Sequence, residues 1–207
     1  MPTSSAFDAL FDKYRGRVPK AYLRALAQKE SGMDPAAYNG AGGGRGLLQI
    51  TGIARTDFNQ RHGTAYTVAD MFNPEVSIRI AADLLNRIAT AYAKHPSANM
   101  REDWTNPEFV KLITMGWNAG YSEGGGVGKV ATYLERKGLP VTHDNVAKYA
   151  AAAAAAAKLA NATAVAWQRG VLALFRAQPD WKSAAGVGTL LVILGLGFAA
   201  VKLKIFS

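Results

Sequence analysis

Among the 15 acidic residues of this 207-residue chain, Glu30 is the one whose spacing suggests catalysis. From Val18 to Ser31 apolar residues recur with a helical period, Tyr22, Leu23, Leu26 and Ala27 forming one stripe, and Gly32 supplies a stop. Glu30 stands four residues after Leu26 and eight after Tyr22, so a helix aims it along that stripe and not at bulk water. Loss of hydration and the negative end of the helix dipole both favour the protonated carboxyl there, which is the state a general acid requires. An exposed Glu at a helix end is the plain alternative.

The elements that must position Glu30 are mostly helical. Asn39 to Gly46 contains five Gly in eight residues and reads as a loop that brings Leu47-Leu48-Gln49-Ile50 back toward a neighbour. Val76, Ile80, Leu84 and Ile88, and later Phe109, Leu112, Ile113 and Trp117, mark two core helices. Val130 to Lys137 is a third, ended by Gly138-Leu139-Pro140. The class is mainly α, with a short β element near Leu47 to Thr51 or Tyr66 to Val68.

Past Asn145 the composition changes. Eight consecutive Ala, Ala150 to Ala157, begin a run of good helix formers that continues to Gln178, where Pro179 interrupts. Ala184 to Val201 is 18 residues without a charge; at about 1.5 Å per residue it spans roughly 27 Å as a helix, close to the hydrocarbon thickness of a bilayer. Trp181 and Lys182 on one side and Lys202 and Lys204 on the other suit a membrane interface. The expected organisation is a domain over 1–149, an Ala-rich stalk over 150–181 and a transmembrane helix with a basic tail over 182–207.

Four segments in order carry a resemblance: Glu30-Ser31-Gly32-Met33-Asp34-Pro35-Ala36, Gly46-Leu47-Leu48-Gln49-Ile50, Asn73-Pro74-Glu75-Val76-Ser77-Ile78 and Gly116-Trp117-Asn118-Ala119-Gly120. Together they resemble the signature of the soluble lytic transglycosylases, enzymes with a goose-type-lysozyme fold that cut peptidoglycan glycan strands; the likeness runs from about Ala21 to Tyr149. It implies that Glu30 is the sole catalytic carboxylate with Ser31 beside it, and that Gln49 contacts N-acetyl or peptide groups. It also implies that Leu48 and Ile50 line the saccharide groove, that Asn118 faces Glu30, and that Tyr149 bonds near it. Trp117 replaces the family's usual Tyr, and Gly44-Arg45 makes the preceding loop unusual.

The implied reaction needs one carboxylate and no cofactor. Glu30 protonates the oxygen between N-acetylmuramic acid and N-acetylglucosamine, then takes the proton of the muramic C6 hydroxyl as a 1,6-anhydro ring closes. Goose-type lysozymes are also similar, and glycosidases of the hydrolytic kind usually use two carboxylates. Goose-type lysozymes carry Asp where this chain has Thr51, which favours the non-hydrolytic outcome. Asp34, Asp57 and Asp70 are the possible second carboxylates, and helix caps or turns account for each.

Twenty-four Lys and Arg against 15 Asp and Glu give a net charge of +9, which favours anionic partners such as wall polymers, acidic lipids or nucleic acid. The absence of Cys removes thiol chemistry and disulfides, and His62, His95 and His143 lack metal-ligand spacing. Met1 to Lys20 shows no apolar run of the secretory kind. The expectation is therefore a virion-associated bacteriophage protein that opens the host wall during entry, with other virion proteins as partners. A catalytically idle, DNA-conducting membrane protein is the alternative of another class.

Overall fold

Asn-Pro-Glu is used twice to start a helix. In both Asn73-Pro74-Glu75 and Asn106-Pro107-Glu108 the Asn Oδ1 accepts the Glu backbone N–H at 2.9 Å, and Pro takes the first helical position, where a missing N–H costs no bond. These devices open the two long helices of the core, and the acidic residue after each Pro complements the positive helix end.

The computed structural model describes residues 6–40, 43–155, 158, 161, 162 and 165. The order is α1 (Asp8–Tyr14), α2 (Lys20–Ser31), a hairpin of β1 (Tyr38–Asn39) and β2 (Gly44–Arg45), α3 (Gly52–His62), α4 (Pro74–Tyr92), α5 (Pro107–Ala119) and α6 (Gly126–Arg136), with short 3-10 turns at Ala69–Phe72 and Ala98–Met100. The chain is helical again over 143–155. Its contacts divide it into two units, Met1–Ala150 and Ala151–Ser207. The proposed span Ala184–Val201 and nearly all of the stalk lie outside the described residues, among which no helix is long and apolar enough to cross a membrane.

In the first unit α4 is the central helix. Val76, Ile78, Ile80, Ala81, Ala82, Leu85, Ile88, Ala89 and Tyr92 are buried along it, and α1, α3 and α5 all pack against it. Two helices escaped sequence reading: α1 buries only Phe11 and α3 only Phe58, so neither has an apolar stripe to detect. The Gly-rich loop also needs correction. Its ends pair as a hairpin, Tyr38 with Arg45 and Asn39 with Gly44, and Arg45 bridges onward to Ile50, whereas Tyr66 to Val68 forms no strand.

Charge fastens the mostly polar α3 to α4. Arg61 joins Asp57 at 3.0 Å and Asp83 at 2.5 Å, His62 Nε2 meets the other Asp83 oxygen at 3.0 Å, and Arg87 reaches Asp57. Partial burial pushes the Asp83 carboxyl up, but hydrogen bonds from Arg61 and His62 outweigh it and hold it below its ordinary value. A carboxyl whose folded value is depressed contributes stability above its unfolded value, about 3.9, and loses it as pH falls through the folded one. Asp83→Asn should therefore lower the melting temperature at pH 7, and the gap to the parent protein should close in melts taken below about pH 3.

Candidate active site

The chain folds back on itself where α2 ends. Gly32 adopts the left-handed conformation (φ 65°) that closes the helix, its N–H reaching the Gln28 carbonyl at 3.0 Å, while the following Met33 bonds Ala27. Ser31 shares its hydroxyl proton between the Ala27 carbonyl at 3.1 Å and the Leu47 carbonyl at 2.8 Å, tying this helix end to the 46–50 turn. Removing that tie in Ser31→Ala should cost about 1 kcal/mol, measurable by urea denaturation.

The 46–50 turn is itself over-determined. Gly46 (φ 73°) donates to Ala37 at 2.9 Å, and Leu48 N–H donates to the buried Ser77 hydroxyl at 3.1 Å, which docks the turn on the first turn of α4. Gln49 is held at φ 48°, an uncommon conformation for a residue with a side chain. Its Nε2 donates to the carbonyls of Ala37 and Gly46 at 3.2 and 3.0 Å. Two carbonyl partners require an NH₂ at that end, so Oε1 is the polar atom the side chain can offer to a ligand.

A cavity of about 270 Å³ opens between these pieces. Glu30 from α2, Gln49, Ile50 and Thr51 from the turn, Trp117 and Asn118 from α5, and Asn39, Gly44, Ala54 and Leu84 line it. Glu30 is half-buried, and the Trp117 indole donates to its Oε1 at 3.1 Å. Behind it, the Tyr22 and Thr114 hydroxyls lie 2.8 Å apart in a hydrogen bond, and Thr114 also reaches the Val110 carbonyl at 2.7 Å. Burial pushes the Tyr22 hydroxyl up; Thr114 opposes that shift and the nearby Glu30 charge adds to it.

The sequence-derived residues therefore divide. Glu30, Gln49, Ile50 and Asn118 meet in the cavity. Leu48 does not: it is fully buried, because its backbone is turned inward to Ser77, and it belongs to the core. Ser31 buttresses the turn rather than facing the cavity. Tyr149 packs its ring on Tyr133, with centroids 5.4 Å apart, and is not among the lining residues. Sequence reasoning missed Trp117 as the direct partner of Glu30, although its departure from the usual Tyr marked the position.

The other candidate carboxylates are occupied elsewhere. Asp34 caps a turn by accepting from Ala36 N–H at 2.8 Å, and Asp70 accepts from Thr67 N–H at 2.6 Å. Asp57 lies inside α3 and not at a cap or turn, paired with Arg61 and Arg87. Thr51, on the cavity wall, caps α3 through its hydroxyl. Among the described residues no cluster of three or more His, Asp or Glu could hold a metal ion.

Residues 9–124 match the transglycosylase SLT domain. The chain belongs to that family. The matched region takes in all but the first residue of α1, the whole of α2 to α5 and every residue that lines the cavity, and it stops short of Tyr149. Among solved structures, the 70 kDa soluble lytic transglycosylase of Escherichia coli is similar over 63% of this chain, at 21% identity and a TM-score of 0.47. The likeness covers 18% of that protein, so this chain corresponds to a small part of it. No curated protein matches.

Proposed function

We propose that this SLT domain is a peptidoglycan lytic transglycosylase that cleaves the β-1,4 bond between N-acetylmuramic acid and N-acetylglucosamine and leaves a 1,6-anhydro end. The observation that carries the proposal is the cavity of a family member whose lining holds, among the described residues, one carboxylate, Glu30, which accepts a hydrogen bond from Trp117. One carboxylate suffices if the nucleophile is internal to the substrate. Glu30 gives its proton to the glycosidic oxygen as the bond breaks, and the substrate's N-acetyl group stabilises the cationic sugar. Glu30 then removes the C6 hydroxyl proton while that oxygen closes the ring, so acid and base are regenerated without water.

Thr51 supports this reading over hydrolysis. It faces the cavity but uses its hydroxyl to cap α3, and it offers no carboxylate to activate water. Gln49 presents an acceptor oxygen suited to an N-acetyl N–H, and Ile50 an apolar wall for a sugar face. Digestion of purified peptidoglycan in isotopically labelled water should leave the new ends unlabelled; incorporation of label would point to a lysozyme instead.

The setting we propose is a membrane-anchored protein of a bacteriophage particle, held through Ala184–Val201. A wall-cutting domain tethered to a membrane opens the wall only beside that membrane, which suits passage of a genome through a small hole. The positive net charge supports attraction to an anionic wall. Probing purified particles with an antibody to the domain tests this, and a particle free of the protein would refute it.

A further inference from the structure

Trp117 stands where the family motif has Tyr, and it makes a contact that bears on which atom of Glu30 does chemistry. The indole Nε1–H donates to Glu30 Oε1 at 3.1 Å. An indole can only donate, and the carbonyl oxygen of a neutral carboxyl is a better acceptor than its hydroxyl oxygen, so the contact favours the proton on Oε2. The helix that carries the ring is closely seated. Trp117 is half-buried against the core, and its neighbour Gly116 lies where Tyr92 crosses α5: a Cβ at 116 would overlap the Tyr92 hydroxyl, which donates to the Leu112 carbonyl at 3.0 Å. The depth of α5 on α4, and with it the reach of Trp117, is therefore set by a contact with no slack.

We propose that Trp117 is a positioning residue for Glu30, its indole locking the carboxyl rotamer and reserving Oε1 as an acceptor so that Oε2 is the oxygen that exchanges the proton with substrate. The assignment of roles to the two oxygens rests on the transglycosylase reading; the contact itself does not. Loss of the lock leaves Glu30 present but free to turn, and misplacement of a reacting group by about 1 Å can cost on the order of 100-fold in rate.

The test uses the full chain in mild detergent. Trp117→Phe keeps an aromatic wall without the donor and should lower kcat for muropeptide release by about 10- to 100-fold while KM stays within about twofold. An unchanged kcat, or a loss confined to KM, overturns the proposal. A second arm needs no activity. The chain has four Trp, and sequential resonance assignment of the isotopically labelled parent protein identifies the indole N–H of Trp117 among them. Glu30→Ala should move this resonance upfield while that of Trp104, which donates to Glu102 at 3.1 Å, stays in place. A Trp117 resonance indifferent to Glu30→Ala refutes the contact even if Trp117→Phe fails to fold. A shifted resonance in a protein that releases no muropeptide would instead remove the transglycosylase reading and leave the contact standing.

Discussion

Glu30→Gln should lower the release of muropeptides by about 100- to 10,000-fold, the range that a positioned acid and base contributes to a rate. The amide keeps the length of the side chain and can turn its oxygen toward the Trp117 indole, so the cavity should survive with its proton donor removed. The comparison requires parent and variant with matching melting temperatures, assayed on the same sacculi. A variant that kept full activity would show that another group supplies the proton. Among the described residues no other on the cavity wall is acidic, and Asp34, Asp57 and Asp70 are already bound to their own partners.

Gly46→Ala should be the most damaging small substitution in the turn that carries Gln49 and Ile50. The residue has φ 73°, and a Cβ there would overlap the backbone carbonyl of Met71, an atom that cannot rotate away. Left-handed backbone at a non-Gly residue costs about 1–2 kcal/mol, and overpacking adds about 1–3 kcal/mol, so a loss of about 3 kcal/mol is expected. For a domain of this size that lowers the melting temperature by about 6–12 °C. Displacing the turn also moves Gln49 and Ile50 off the cavity wall, so activity should fall with stability. Gly52→Ala is the matched control: no atom lies within 4 Å of its Cβ, and the position opens α3. A Gly46→Ala protein that melts with the parent would mean that the turn is not seated against Met71.

How much of this was legible beforehand depended on whether the physics was local. The stripe from Tyr22 to Ala27 and the Gly32 stop gave α2 and the place of Glu30, because periodicity and a left-handed cap are properties of neighbouring residues. The apolar recurrences that announce α4 and α5 worked for the same reason. Helix α3 did not announce itself, since its hold on α4 comes from Arg61 with Asp83 and Asp57 with Arg87, pairs 22 and 30 residues apart that spacing cannot match. Asn39 to Gly46 looked like an unpaired loop because a two-residue ladder leaves almost no period to read.

Within the site the same division holds. Gln49, Ile50 and Asn118 were assigned to the groove through the family motif, and all three line the cavity. Leu48 belongs to the same motif but points the other way, which follows from the bond between its backbone and Ser77, 29 residues on. Tyr149 lies beyond the matched family region and finds its partner in Tyr133. The bond between Trp117 and Glu30 spans 87 positions and joins two helices, so the substitution of Trp for Tyr flagged the position without revealing its partner.

The most direct measurement is the mass of what the protein releases from peptidoglycan. Purified peptidoglycan incubated with the full chain and analysed by mass spectrometry should give muropeptides lighter by one water than those from a hydrolytic muramidase, with no free reducing end for borohydride to reduce. Products carrying that water and a reducible end would contradict the account, because they would require a hydrolytic route that a lone Glu30 acting on the C6 hydroxyl does not provide.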